Sequence, residues 1–180
     1  MLTNSPKDLL PGDCLLYSPN GFFGFVIAVK SWTWISHVGI YAGEGMSVAS
    51  RDGIGVNRYP MRTAQLAWVR RPHSQIDFNR GMAWFNQPYD PVKHTGIRGQ
   101  GYDWLGLLCF TLAVRQGSPD KAFCSEFATR FYRECQFDPF NPDVDADHVA
   151  PAEFWESPAF DTIWRATGVR ARAPALVSWR

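Results

Sequence analysis

Residues 34–51 constrain the fold more than any other stretch of this chain. Two runs rich in β-branched and aromatic side chains flank Gly43-Glu44, and glycine supplies the positive φ that a tight hairpin turn needs. The pattern predicts antiparallel strands over 35–42 and 45–51. With Ala42 opposite Gly45, His37 falls directly across from Ser50, where facing Cβ atoms lie ~5 Å apart. Alternation puts Val38 and Ile40 on one face, toward the core, and leaves His37, Gly39 and Tyr41 on the other. Gly39 beside the histidine lets a substrate or another backbone approach closely.

The remaining elements follow from turn signals and periodicity. Pro11-Gly12-Asp13 marks a turn, and Cys14-Leu15-Leu16-Tyr17 after it is a short apolar run suited to a buried strand. Phe23, Val26, Ile27 and Lys30 have helical spacing and predict an amphipathic helix over 22–32. Further strands are expected over 55–58 and 67–71, the latter stopped by Pro72, and a helix over 77–85 with Asp77 as its cap. A Pro/Gly-rich loop covers 87–101. The apolar stretch 102–114 is too long for a strand and reads as a buried helix. A helix opening at Cys124 places Phe127, Phe131 and Cys135 on one stripe.

Composition narrows the class of protein. The 180 residues suit one domain, expected over 1–164, with a basic tail over 165–180. Hydrophobic residues make up 46% of the chain, with 8 Trp and 13 Phe, enough aromatic surface for a core and a cleft. A net charge of +1 gives no field to draw nucleic acid, and no basic stripe interleaved with aromatics is present. Charge is nonetheless uneven. Residues 136–156 hold the acids Asp138, Asp143, Asp145, Asp147, Glu153 and Glu156 and no Lys or Arg, whereas 165–180 hold Arg165, Arg170, Arg172 and Arg180 and no acid. Such segments are solvated loops and tails, or contacts for a partner protein. Neither a cationic start followed by an apolar run nor 18 consecutive apolar residues occurs. The expectation is therefore a chain without a Sec-type signal or membrane span, cytoplasmic at synthesis, then exported by another route, released by lysis or carried in a virion.

The four cysteines, at 14, 109, 124 and 135, show no Cys-x-x-Cys spacing, and Cys14 and Cys109 lie in apolar runs like small hydrophobes. Cys124 differs because it opens a helix. Unpaired N–H groups and the helix dipole there favour the thiolate, the form of cysteine that attacks. A strand histidine and a helix-opening cysteine suggest a nucleophile and its base, although each residue type taken singly is as compatible with packing. The other histidines, at 73, 94 and 148, have no ligand spacing with His37 or a cysteine, so no zinc site is expected. Asp143-x-Asp145-x-Asp147 resembles the start of a calcium loop, but His148 stands where that loop needs glycine and Phe154 where it needs glutamate. No metal or cofactor is expected.

Taken together, Pro11-Gly12-Asp13, Ser36-His37-Val38-Gly39-Ile40-Tyr41, Gly101-Tyr102-Asp103-Trp104, Phe123-Cys124-Ser125-Glu126-Phe127 and the ending 151–158 resemble the circularly permuted NlpC-type papain-like hydrolases. These are the YiiX-type thiol peptidases, in a superfamily that includes lecithin–retinol acyltransferase. The similarity covers about residues 8–160, and histidine before cysteine is its specific part. It implies an α+β fold, a small antiparallel sheet packed against helices, with Cys124 as nucleophile and His37 as the base that then protonates the leaving group. The backbone N–H of Cys124 would help hold the oxyanion.

Members usually place a third polar residue beside the histidine strand. Here the expected register offers Ser50, while Ala49 cannot serve; Asp52 or a water is the other recruit. Tyr102 could add a donor to the cleft or simply pack, and Tyr89-Asp90 is a second Tyr-Asp pair that could occupy the same family position. The implied activity is amide hydrolysis through an acyl-thioester, with a peptide or peptidoglycan substrate. Two alternatives stand beside it. One is an acyltransferase or lipid ester/amide hydrolase, suggested by Phe22, Phe23, Trp32 and Trp34; the other is a non-catalytic module with a degraded triad.

Overall fold

The computed structural model describes residues 6–20, 33–93, 95–101 and 122–169. The helices expected over 22–32 and 102–114, together with Tyr102, Cys109, His94 and residues 170–180 of the tail, lie outside the described residues.

Six strands form one sheet: β1 (Cys14–Tyr17), β2 (His37–Gly43), β3 (Met46–Arg51), β4 (Gly55–Pro60), β5 (Leu66–Pro72) and β6 (Phe160–Arg165). Their spatial order is β4-β3-β2-β1-β5-β6, and each neighbouring pair is antiparallel. With helices α1 (Phe78–Phe85), α2 (Cys124–Glu134) and the short α3 (Glu153–Glu156), the architecture is mixed α+β.

One sheet face carries the main core. Cys14, Leu16, Val38, Ile40, Val48 and Val56 meet Phe127, Phe131 and Tyr132 of α2 there. Those three aromatic side chains are fully buried, each contributing about 1.5–3 kcal/mol relative to exposure. Helix α1 crosses α2 at Gly81, where an added Cβ would sit 2.3 Å from the Cys135 sulfur, so only glycine permits this approach. The expected cap holds: Asp77 accepts a hydrogen bond from the Arg80 amide, satisfying a donor that the helix start would otherwise leave open. On the opposite sheet face Leu15, Tyr17, Leu66 and Val69 form a smaller cluster, with Tyr41, Met61 and Trp164 packed against it.

Pro11-Gly12-Asp13 anchors the head of β1. Asp13 is buried and takes two hydrogen bonds from Arg71 of β5, both 2.8 Å, as well as one from the Leu10 amide. Arg70, its neighbour, points to the other face and clamps the C-terminal segment through the carbonyls of Trp155, Ser157 and Phe160. Strand β6 pairs with β5 from Pro72↔Phe160 to Trp68↔Arg165. The sequence reading had no strand there, because Asp161, Thr162 and Ile163 are exposed and give no apolar run to recognise.

The hairpin departs from expectation by one residue. Its two-residue turn is Glu44-Gly45, with φ of 54° and 69°, the signs that a type I′ turn requires. Gly43 pairs with Met46, and a bulge follows before Tyr41↔Ser47 and Ile40↔Val48. Carried back along β2, this register sets Val38 across from Ser50 and His37 across from Arg51. His37 and Ser50 therefore occupy opposite faces of the sheet.

Candidate active site

Cys124 is the first residue of α2, and its helix has no side-chain cap, since Phe123 in extended conformation precedes it. The sulfur takes the acceptor's place. Backbone amides of Val38, Ser125 and Cys124 itself are directed to it and favour the thiolate, but burial outweighs them and pushes the thiol up to about 11. The Val38 amide is free for this role because β2 and β3 are paired only from Ile40↔Val48 toward the turn. The N-terminus of α2 thus lies where the two strands part.

Ser50 closes the same arrangement from β3. It is fully buried, and its hydroxyl donates to the Ala122 carbonyl at 2.5 Å, holding the chain just before the cysteine. The expectation that Ser50 orients His37 is corrected by this bond and by the register: Ser50 positions the start of α2. The bulge between Tyr41 and Gly43 is the physical cause, because it adds the odd residue that exchanges the faces.

His37 opens β2 on the second sheet face, paired with Tyr17, their rings 5.6 Å apart and tilted by 43°. Its Nε2 is buried without a hydrogen-bond partner among the described residues. Burial first, then the positive charges of Arg51 and Arg62, depress the imidazole to about 3, so it is neutral near pH 7. Ala49 is its neighbour on β3: an added Cβ at Gly39 would meet the Ala49 Cβ at 3.5 Å and the Tyr17 ring at 3.6 Å. Among the described residues no carboxylate offsets the arginines there. Asp52 has its carboxyl raised by burial against the pull of Arg62, and it is not among the charges acting on His37.

The structure brings the Cys124 sulfur to the Val38 amide, next in sequence to His37. No hydrogen bond joins sulfur to imidazole among the described residues; the link is the Val38 amide, one residue beyond the histidine. Tyr89-Asp90 lies elsewhere, in a loop where the Asp90 carboxylate caps the Val92 and Lys93 amides. Sequence reading missed Tyr17 and Arg51 as neighbours of His37, although alternation along β1 and β3 carried that signal. It set aside the acidic segment as a calcium loop, and the structure does gather Asp145, Asp147 and His148 there, all exposed, with ligand atoms within 4.8 Å of one another. The segment that carries them packs against α2, where the Ser125 hydroxyl donates to the Val149 carbonyl at 2.5 Å. No helix among the described residues is long and apolar enough to cross a membrane.

The chain matches no protein-family model and no curated protein. Among solved structures it is similar to a protein of Escherichia coli O157:H7 described as metalloprotein yiiX, DUF1105, with a TM-score of 0.58 and 16% identity. The likeness covers 87% of this chain and 97% of that one. The fold is shared.

Proposed function

We propose that this chain is a cysteine-nucleophile amide hydrolase of the permuted papain-like type, acting on peptides such as those of the bacterial cell wall. The observation that carries this reading is the Cys124 sulfur at an uncapped helix start, faced by the amides of Val38, Ser125 and Cys124. Amides so directed stabilise a thiolate before attack and an oxyanion after it.

In the reaction, His37 takes the thiol proton as the sulfur bonds to the substrate carbonyl carbon. The carbonyl π electrons move onto oxygen, where the backbone amides receive them. Collapse breaks the C–N bond, and His37 returns the proton to the leaving amine. Water, activated by the same imidazole, then cleaves the acyl-thioester and frees the sulfur. At rest both groups are neutral, with the thiol held up to about 11 and the imidazole held down to about 3.

That resting state, with Ala49 beside the histidine, favours one competing reading, a binding module that keeps the fold without catalysis. Labelling native protein with iodoacetamide near pH 7, followed by peptide mass spectrometry, separates the two. Burial raises the thiols of Cys14, Cys124 and Cys135 alike, and Cys124, with the helix-start amides on its sulfur, is expected to react first among these three. Hydrolytic activity abolished by Cys124→Ala, with an acyl adduct trapped on the wild-type sulfur, supports the enzyme. Labelling of Cys124 no faster than of Cys135, with no adduct on any peptide or ester substrate, supports the module.

A further inference from the structure

The loop over 138–144, helix α3 and residues 157–159 line an open groove of about 520 Å³, within the size of ligand clefts. Its floor is apolar. Phe140, Val144 and Ala159 border the groove and pack against the main core cluster beneath it. Its rim is acidic. Asp138 is spent on Arg133 at 2.9 Å, whereas no cation among the described residues pairs with Glu153 or Glu156, both exposed. One Glu153 oxygen accepts from the Ala150 amide, and the other stays open.

The chain carries a complementary segment of its own. Beyond β6 it turns at Thr167-Gly168, with Gly168 at φ 81°, and Val169 packs against the same core cluster as Phe140 and Val144. Helix α3 is close to this point. Trp155 contacts Trp68, their rings 6.3 Å apart, and Trp68 pairs with Arg165 at the end of β6. Residues 170–180 hold Arg170, Arg172 and Arg180 without an acid, and the apolar Leu176, Val177 and Trp179 among them.

Reach and spacing agree with a contact between the two. The groove lies at the Phe160 end of β6, ~17 Å back from Arg165 at strand rise, and residues 170–180 fully extended cover up to ~36 Å. Arg170 and Arg172 fall on one side of an extended segment, ~6.5 Å from each other. Glu153 and Glu156 share one side of α3 with ~5–6 Å between their Cβ atoms.

We propose that residues 170–180 dock in this groove of their own chain, with Arg170 and Arg172 on Glu153 and Glu156 and with Leu176, Val177 and Trp179 over Phe140 and Val144. The acidic stretch and the basic tail are then two halves of one contact. This surface is separate from the hydrolase reading, because neither Cys124 nor His37 lines the groove.

The test uses the full-length chain. Trypsin cuts after arginine, so docking is read as slow cleavage after Arg170 and Arg172, timed by mass spectrometry. Glu153→Gln with Glu156→Gln removes both charges and keeps an acceptor for the Ala150 amide. In dilute salt this variant is expected to be cut about five- to tenfold faster than wild type, the worth of two exposed ion pairs. At about 1 M NaCl, where screening acts within ~3 Å, the two rates should converge. Asp143→Asn, on an exposed acid outside the groove, is expected to change nothing. Contact is located in Arg172→Lys by zero-length carbodiimide coupling, which joins an amine to a carboxylate it touches. The expected product links position 172 to Glu153 or Glu156 within one chain. Equal cleavage of wild type and the glutamate variant, no coupled product, or coupling to Asp143, Asp145 or Asp147 instead would each overturn the proposal. A product joining two chains would give the groove to the tail of a second copy and overturn docking within one.

Discussion

The depressed imidazole of His37 makes a definite demand on stability. In the unfolded chain a histidine takes its proton near 6.5, whereas in the folded chain His37 takes it near 3. Between those values the unfolded state holds one more proton, so unfolding free energy rises with pH, by about 1.4 kcal/mol per unit. Read downward, the stability is intact above 6.5 and is lost as pH falls toward 3. From pH 6.5 to 4.5 the loss assigned to this one group is about 2 kcal/mol, a sizeable part of the 5–15 kcal/mol typical of a domain. Urea unfolding of wild type and His37→Gln at pH 7.0, 6.5, 5.5 and 4.5, followed by tryptophan fluorescence, isolates the term, since the other titrating groups cancel between the proteins. The expected outcome is that the variant gains on the wild type by that amount as pH falls. Parallel curves would show that the imidazole is solvated or has an acidic partner, and the argument from its burial and from Arg51 and Arg62 would fail.

Two further perturbations test what positions the site. Ser50→Ala removes the donor to the buried Ala122 carbonyl and is expected to cost about 1–3 kcal/mol in urea unfolding; a cost near zero would mean that Ser50 does not hold the start of α2. Arg70→Met leaves the carbonyls of Trp155, Ser157 and Phe160 without their cation, with an expected cost of about 3 kcal/mol or more. Limited proteolysis should then cut first within 153–169, and a first cut elsewhere would refute the clamp.

Much of the sheet was legible because its strands obey local rules. Cys14–Tyr17 was found as an apolar run after a turn, and β2 to β5 by alternation and by glycine or proline at their ends. The helix at Cys124 was legible from Phe127, Phe131 and Cys135, all of which are buried. Strand β6 was not, because it is recruited by tertiary contacts: Phe160 enters the core while most of its neighbours face solvent. Its pairing depends on Arg70, 90 residues before Phe160, whose charge gives no hint that it will be buried against carbonyls.

The site was half legible for a different reason, the strictness of period two in a strand. Gly43, Glu44 and Gly45 all adopt positive φ, so the sequence admits a turn on either pair; that choice alone moves each pairing by two residues and keeps the faces, and the bulge between Tyr41 and Gly43 then takes one residue back. One residue exchanges the faces of everything on β3 relative to β2. With the bulge after the turn, Ser50 leaves the histidine for the Ala122 carbonyl, and Ala49 and Arg51 come to the face of His37. The slip therefore replaces a weak hydrogen-bond partner with a like charge, which alters the chemical question put to the site. A serine would have left His37 an ordinary base poorly held. An arginine beside an alanine makes it a base held neutral, first by burial and then by like charge.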